Sequence, residues 1–373
     1  MRQTERLVLI AIVLAGLCGA ARAQTPEAAA EEPSWPDRIA VGTNGFFRPG
    51  ILLQGWFVTD VSDEQNVDSD VTDLFRVRRA ELTVRGEIVP DRVAYAVMID
   101  PAKVLEFRDA TIDVEPADPD NPGETVTVRQ PASAVSAFQD FYLTFLTPYV
   151  DISIGQFKIP VSWEGFNSSA RLLFPERARI SRRWGDLRDL GLRLAKRFGW
   201  FGFSAGVFNG GGLNTFEMND QKALALRLEF YPMDGLTLAA VAYDSVGERD
   251  TEGTQDRWEG DVRYEGGPFL VQAEYIAARD VGAAGAATYA HGFYAALGWT
   301  FAEALQPVVR VGWYDPDIDR NGTGADDEFW QIDAGLNWFI ARNEAKLQLS
   351  YSRFQYDDRT PLNEVILAAQ VSY

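Results

Sequence analysis

Arg79-Ala80-Glu81-Leu82-Thr83-Val84-Arg85-Gly86-Glu87-Ile88 sets charged or polar residues against apolar ones at every second position. Successive side chains of a strand point to opposite faces, so this stretch reads as a strand with one wet and one apolar face. The same pattern returns far along the chain. Arg257, Glu259, Asp261, Arg263 and Glu265 alternate with Trp258, Gly260, Val262 and Tyr264. Trp330, Ile332, Ala334, Leu336 and Trp338 oppose Gln331, Asp333, Gly335 and Asn337.

A half-solvated sheet in a soluble sandwich also alternates in this way. Two details favour a membrane barrel. The apolar faces carry aromatics (Trp258, Tyr264, Trp299, Trp330, Trp338, Tyr351) where interfacial girdles belong. The polar faces carry charges at several successive positions, which suits a wet lumen. The fold class expected is therefore all-β, a transmembrane antiparallel barrel of about 16 strands. The strands are expected near 51–59, 74–88, 92–100, 137–147, 149–159, 188–198, 200–208, 221–231, 236–244, 256–265, 269–279, 290–300, 306–314, 328–339, 344–353 and 363–373.

Connection lengths support that count. Short turns at Val89-Pro90-Asp91, Thr147-Pro148, Pro232–Gly235 and Gly266-Gly267-Pro268 alternate with long ones such as 60–73, 101–136 and 160–187. An even strand number places both termini in the periplasm and the long loops outside. Val104–Val114 and Thr125–Gln130 also look strand-like, but both fall within one long connection and read as a hairpin excursion of the second external loop. The last strand ends Leu367, Ala369, Val371, Tyr373 on one face, the usual form of the signal read by the outer-membrane assembly machinery.

The first residues read as a processing signal, 1–23. Arg2 and Arg6 are followed by the short apolar run Leu7–Leu17 and by Ala21-Arg22-Ala23 at the cleavage offsets. Residues 24–50 are expected to be a periplasmic lead-in, and 51–373 the barrel. Cys18 is the only cysteine, so the mature chain has neither disulfides nor thiolate zinc. The formal charge is −19. Losing Arg2, Arg6, Arg22 and Glu5, a net +2, leaves about −21, which argues against a nucleic-acid partner. No later run of 18 apolar residues exists, so entry into a membrane must be as a closed barrel.

Several collinear blocks carry a resemblance. They are Phe75-Arg76-Val77-Arg78-Arg79-Ala80-Glu81-Leu82, Asp140-Phe141-Tyr142-Leu143 and Gly155-Gln156-Phe157-Lys158-Ile159-Pro160, then Arg188-Asp189-Leu190-Gly191 and Phe208-Asn209-Gly210-Gly211-Gly212-Leu213-Asn214. Gly335-Leu336-Asn337-Trp338 and Val371-Ser372-Tyr373 complete the series. In order and spacing they resemble the phosphate-selective porin O and P family. The resemblance implies a 16-stranded, trimeric channel in the outer membrane, with a third external loop folded inward to narrow the pore. Channels of that family are lined by Arg and Lys. The nearest matches here are Arg76, Arg78, Arg79 and Lys158, together with the region that follows.

That region stands out on charge alone. Arg171 to Arg197 holds Arg171, Arg177, Arg179, Arg182, Arg183, Arg188, Arg193, Lys196 and Arg197 against Glu176, Asp186 and Asp189. If 160–187 is the inward loop, these arginines would act on passing anions at a constriction with low-dielectric walls. Guanidinium groups match phosphate and carboxylate in a bidentate fashion. The plainer alternative is that they pair with lumen acids and fasten the loop to the wall.

Asp317-Ile318-Asp319-Arg320-Asn321-Gly322, with Glu328 in twelfth position, fits a calcium-loop pattern. Helices should flank such a loop, whereas strands are expected on both sides, so a solvated acidic loop tip is the better reading. His291 is the sole histidine, no G-x-S-x-G occurs, and no cofactor or catalytic site is expected. The functional expectation is passive diffusion of small anionic or polar solutes through a homotrimeric barrel embedded in outer-membrane lipid. The rival expectation is a non-conducting barrel whose loops form a surface binding or adhesion module.

Overall fold

The computed structural model describes residues 39–42, 45–61, 73–114, 124–131, 133–215, 222–246, 253–282, 285–320, 328–357 and 360–373. The expected signal segment and most of the lead-in lie outside them. Among the described residues sixteen strands form the barrel wall, and a three-residue strand, Ile39–Val41, joins the same sheet. The sixteen are β1 (Gly45–Asp60), β2 (Asp73–Val89), β3 (Val93–Ile99), β4 (Phe138–Phe145), β5 (Asp151–Lys158), β6 (Arg188–Phe198), β7 (Phe201–Phe208) and β8 (Lys222–Met233). The second half contributes β9 (Leu236–Val246), β10 (Gln255–Gly266), β11 (Phe269–Val281), β12 (Ala287–Trp299), β13 (Leu305–Asp315), β14 (Phe329–Ala341), β15 (Ala345–Tyr356) and β16 (Leu362–Ser372).

Each strand pairs antiparallel with its sequence neighbours, and β16 pairs back onto β1 from Glu364↔Asp60 to Ser372↔Leu52. The barrel is closed. Ile51 N–H donates to the Tyr373 carbonyl at 3.1 Å, and Tyr373 N–H donates to the Ile51 carbonyl at 2.9 Å. Inside the same seam, Gln54 Nε2 donates to Gln370 Oε1 at 2.7 Å from directly opposite register. The last residues are thus structural parts of the closure.

Exposure along the strands is the reverse of that in a soluble protein. In β14, Trp330 and Ile332 are 45% and 47% exposed, while the intervening Gln331, Asp333 and Asn337 are buried. In β10, Trp258 faces out between buried Arg257 and Glu259. An apolar outer surface around a polar interior is the arrangement that lipid outside and water inside select. Trp299 and Tyr351 are also exposed on the outer face, as girdle aromatics should be.

The expected segments and the observed strands agree closely, with two differences of substance. First, β1 begins at Gly45 rather than near 51, because β2 runs long enough to pair with it back to Phe46↔Glu87. A close approach makes this pairing possible: a Cβ on Gly86 would overlap the Phe46 carbonyl oxygen. Second, the β1–β2 register shifts between Gln54↔Arg79 and Gly55↔Val77, so Arg78 is the extra residue of a bulge. Strict alternation would send Arg78 and Arg79 to opposite faces; the bulge buries both on the lumen side. The strand-like pieces in the second long connection form a separate two-stranded hairpin, Phe107–Val114 with Glu124–Pro131.

A charge placed on the outer face should be costly at mid-barrel. Val309 is exposed on β13. Val309→Arg is expected to lower stability in liposomes by about 2–4 kcal/mol, whereas the same change near a barrel rim costs little. Urea-unfolding midpoints of the two variants would check this.

Candidate functional site

The site is built where the connection between β5 and β6, residues 159–187, meets the buried faces of the strands. A single helical turn, Trp163–Phe166, opens it, capped by Ser162. Ser162 has φ 62°, a conformation uncommon outside glycine, and is held there from two sides. Its N–H donates to Glu259 Oε2 at 2.5 Å and its Oγ donates to Glu274 Oε2 at 2.6 Å. Gly165 and Gly185 bring the two arms of the connection together, since a Cβ on Gly165 would overlap the Gly185 carbonyl.

Wall side chains then hold the backbone of the connection. Lys346 Nζ donates to the carbonyls of Ala170 and Leu172, each at 3.0 Å. Asn337 Nδ2 and Gln348 Nε2 donate to the Leu173 carbonyl at 2.9 and 3.2 Å. Gln306, Asn337 and Gln348 are direct neighbours across β13, β14 and β15, and they hydrogen-bond to each other in a row. Arg310 Nη1 donates to the Glu176 carbonyl at 3.2 Å, while its Nε donates to Asp333 Oδ2 at 2.6 Å. Leu173, Phe174, Ala178, Ile180 and Trp184 pack with Tyr294, Val308 and Tyr314 in one apolar cluster.

The candidate cations fall into two groups. The first group is committed to carboxylates or carbonyls. Arg78 donates from Nε to Glu176 Oε2 at 2.8 Å and from Nη1 to Glu106 Oε1 at 3.2 Å. Arg79 donates to Gln54 Oε1 at 2.5 Å and to Glu176 Oε1 at 3.3 Å. Arg177 donates to the Glu164 carbonyl at 2.8 Å and pairs with Asp186 at 3.1 Å. Lys158 donates to the carbonyls of Gly165 and Asn167 at 2.7 and 2.8 Å.

The second group keeps a free face. Arg171, Arg179 and Arg183 are exposed. The side chains of Arg76 and Arg182 are 36% and 37% exposed, and each has one ion-pair contact, to Glu106 at 4.0 Å and to Asp186 at 3.1 Å. The candidate cations thus divide into a paired set and an exposed set. Glu106 and Glu164, which organise the paired set, carry no local motif and were not singled out in the sequence. Only the third dimension joins them to their arginines.

Burial alone would raise the Glu176 carboxyl, but Arg78, Arg79, Arg182 and Arg177 outweigh it and hold it well below the usual carboxylate range. Asp186 is likewise held far down, because Arg177, Lys158, Arg188 and Arg182 override its burial. Glu164 goes the other way, pushed up by burial despite Arg310 nearby and the Ala178 N–H.

The acidic loop is described up to Arg320 and again from Glu328. Asp319 N–H donates to Asp317 Oδ1 and Asp317 N–H to Asp315 Oδ1, so these carboxylates shape turns between two strands. Asn321 lies outside the described residues. Among the described residues no group of three His, Cys, Asp or Glu side chains could hold a metal ion. His291 has its Nδ1 3.1 Å from the Tyr275 hydroxyl and its Nε2 3.9 Å from Asp315, with the Trp313 ring edge-on.

A closed antiparallel barrel with an apolar outer face and buried charges on the other face defines the class: an outer-membrane protein of the porin type. The chain belongs to the phosphate-selective porin O and P family, whose model matches residues 53–254. Among solved structures it is similar to a loop L8 deletion mutant of OmpT from Vibrio cholerae, at 14% identity and TM-score 0.58, covering 89% of this chain and 100% of that one. It is also similar to the outer membrane channel DcaP of Acinetobacter baumannii (13%, TM-score 0.56, covering 88% and 98%). An anion-selective porin from Comamonas acidovorans matches at 10% and TM-score 0.56, covering 88% and 100%. At these identities the likeness concerns the fold. Comparison with curated protein sequences finds no match.

The lowered carboxyls give a pH prediction with a definite sign. Glu176 and Asp186 ionise more readily in the folded protein, so their stabilisation is complete above the unfolded carboxylate range near ~4 and is lost only as pH falls through the lowered values. Glu164 takes up its proton first, which relieves a buried charge and leaves the arginine pairs intact. Protease resistance of 159–187 is therefore expected to stay constant from pH 7 to pH 4 and to fall only in stronger acid. Glu176→Gln should loosen the segment between pH 4 and pH 7, with the difference from the unaltered protein vanishing in strong acid.

Proposed function

We propose that this porin passes small hydrophilic solutes by passive diffusion and prefers anions. On this reading the 159–187 connection folds across the lumen and narrows it. The observation that carries the proposal is the division of cations just described. Glu176 and Asp186, two acids of the connection itself, are paired with Arg78, Arg79 and Arg177, while Arg171, Arg179 and Arg183 stay exposed and Arg76 and Arg182 half so. A passing ion therefore meets exposed guanidinium groups, although the whole chain is acidic at −19. Low-dielectric walls strengthen that local field, whereas acids on exposed loops are screened within about 8 Å at physiological salt. The anion selectivity stated for the Comamonas acidovorans porin is in keeping with this proposal.

A homotrimer is proposed as well, since OmpT of Vibrio cholerae is described in a trimer form. The paired Tyr373 strand would be the segment handed to the assembly machinery.

Planar-bilayer reversal potentials in a KCl gradient test the proposal. The intact protein is expected to favour chloride. Combined Arg179→Gln, Arg182→Gln and Arg183→Gln should move the reversal potential toward potassium without abolishing conductance. Potassium preference in the unaltered protein would overturn it.

A further inference from the structure

A cavity of about 410 Å³ lies between the inner faces of β1, β2, β15 and β16 and the strip from Phe174 to Arg182. Its lining has two characters. Val58, Phe174, Phe354 and Ile366 give an apolar wall, while Arg76, Arg179 and Arg182 give a cationic one. Glu176 also lines it, but both its oxygens are taken by Arg78 and Arg79. Glu364 is the other acid in the lining. Arg179 is exposed, and its described contact is the Phe329 ring, 6.0 Å away.

Trp56 supplies an independent observation. It is 5% exposed, lines the same cavity, and its Nε1–H has no hydrogen-bond acceptor among the described residues. The guanidinium carbons of Arg76 and Arg78 lie 5.6 and 5.5 Å from its ring centroid. A buried donor left unmatched is unfavourable, and tryptophan buried in proteins usually finds a partner for this group. An acceptor oxygen supplied by a solute would complete it.

We propose that this cavity is a binding subsite for organic monocarboxylates with an apolar body. The carboxylate takes Trp56 Nε1–H and the arginines, and the hydrocarbon or ring part packs on Val58, Phe174, Phe354 and Ile366. Inorganic phosphate satisfies the charges but makes no use of the apolar wall. A neutral apolar solute uses the wall and leaves the guanidinium groups and the indole unmatched. The subsite deepens the anion-channel reading and rests on it for access from solution.

The test uses the folded full-length barrel with benzoate, acetate and inorganic phosphate as probes. In planar bilayers, benzoate is expected to interrupt the current at about tenfold lower concentration than acetate or phosphate. Trp56→Phe keeps a ring but removes the N–H, and should weaken the benzoate effect by about tenfold, the scale of one hydrogen bond to a charged group. Arg179→Gln, at an exposed position that folding does not need, should weaken it as well. Trp258→Phe on the outer face should leave it as it is. Equal potency of the three anions, or a benzoate effect untouched by Trp56→Phe and Arg179→Gln, would overturn the subsite. Equilibrium dialysis of benzoate against the same barrels in detergent separates the two readings. Binding that depends on Trp56 in a barrel without conductance upholds the subsite and removes the channel, and conductance without such binding does the reverse.

Discussion

Everything in this molecule follows from one requirement: no backbone N–H or C=O may face hydrocarbon without a partner. A sheet of sixteen strands has two edges, and the only way to remove both in lipid is to join them. The join is made at the extreme end of the chain, where Tyr373 and Ile51 exchange backbone hydrogen bonds. Once the sheet is a cylinder, period-two alternation becomes an inside and an outside. The side chains facing in then have to be satisfied in a crowded, partly dry space.

That second constraint explains the interior. Gln306, Asn337 and Gln348 form a row because antiparallel register sets them opposite each other, and the row ends on the Leu173 carbonyl. Arg310 and Asp333 are paired for the same reason. Pairing of this kind is what lets charges of opposite sign be buried together, as Arg310 and Asp333 are. Arg171, Arg179 and Arg183 lie outside this pairing and are exposed.

The fold was largely legible in the sequence. Alternation in 79–88, 257–265 and 330–338 located strands to within a few residues, and connection lengths placed the hairpin of 107–131 outside the wall. The start of β1 was not legible, because Pro49 and Gly50 look like turn residues until β2 is there to pair with them. The site was half legible. A run of arginines advertises itself by composition, but composition cannot say which are spent on Glu176 and Asp186 and which are not. The bulge at Arg78 was hidden for a related reason: an extra residue in one strand is defined only by the strand opposite it.

The wall grips residues 170–176 chiefly by backbone carbonyls, those of Ala170, Leu172, Leu173 and Glu176. Carbonyls are the same whatever side chain they carry. Arg171 can therefore be exchanged while the grip on its neighbours is unchanged. Such a barrel can acquire a new solute preference by drift at a few positions, without first purchasing stability elsewhere. Descendants of one stable cylinder can then divide among diets while their frames stay alike.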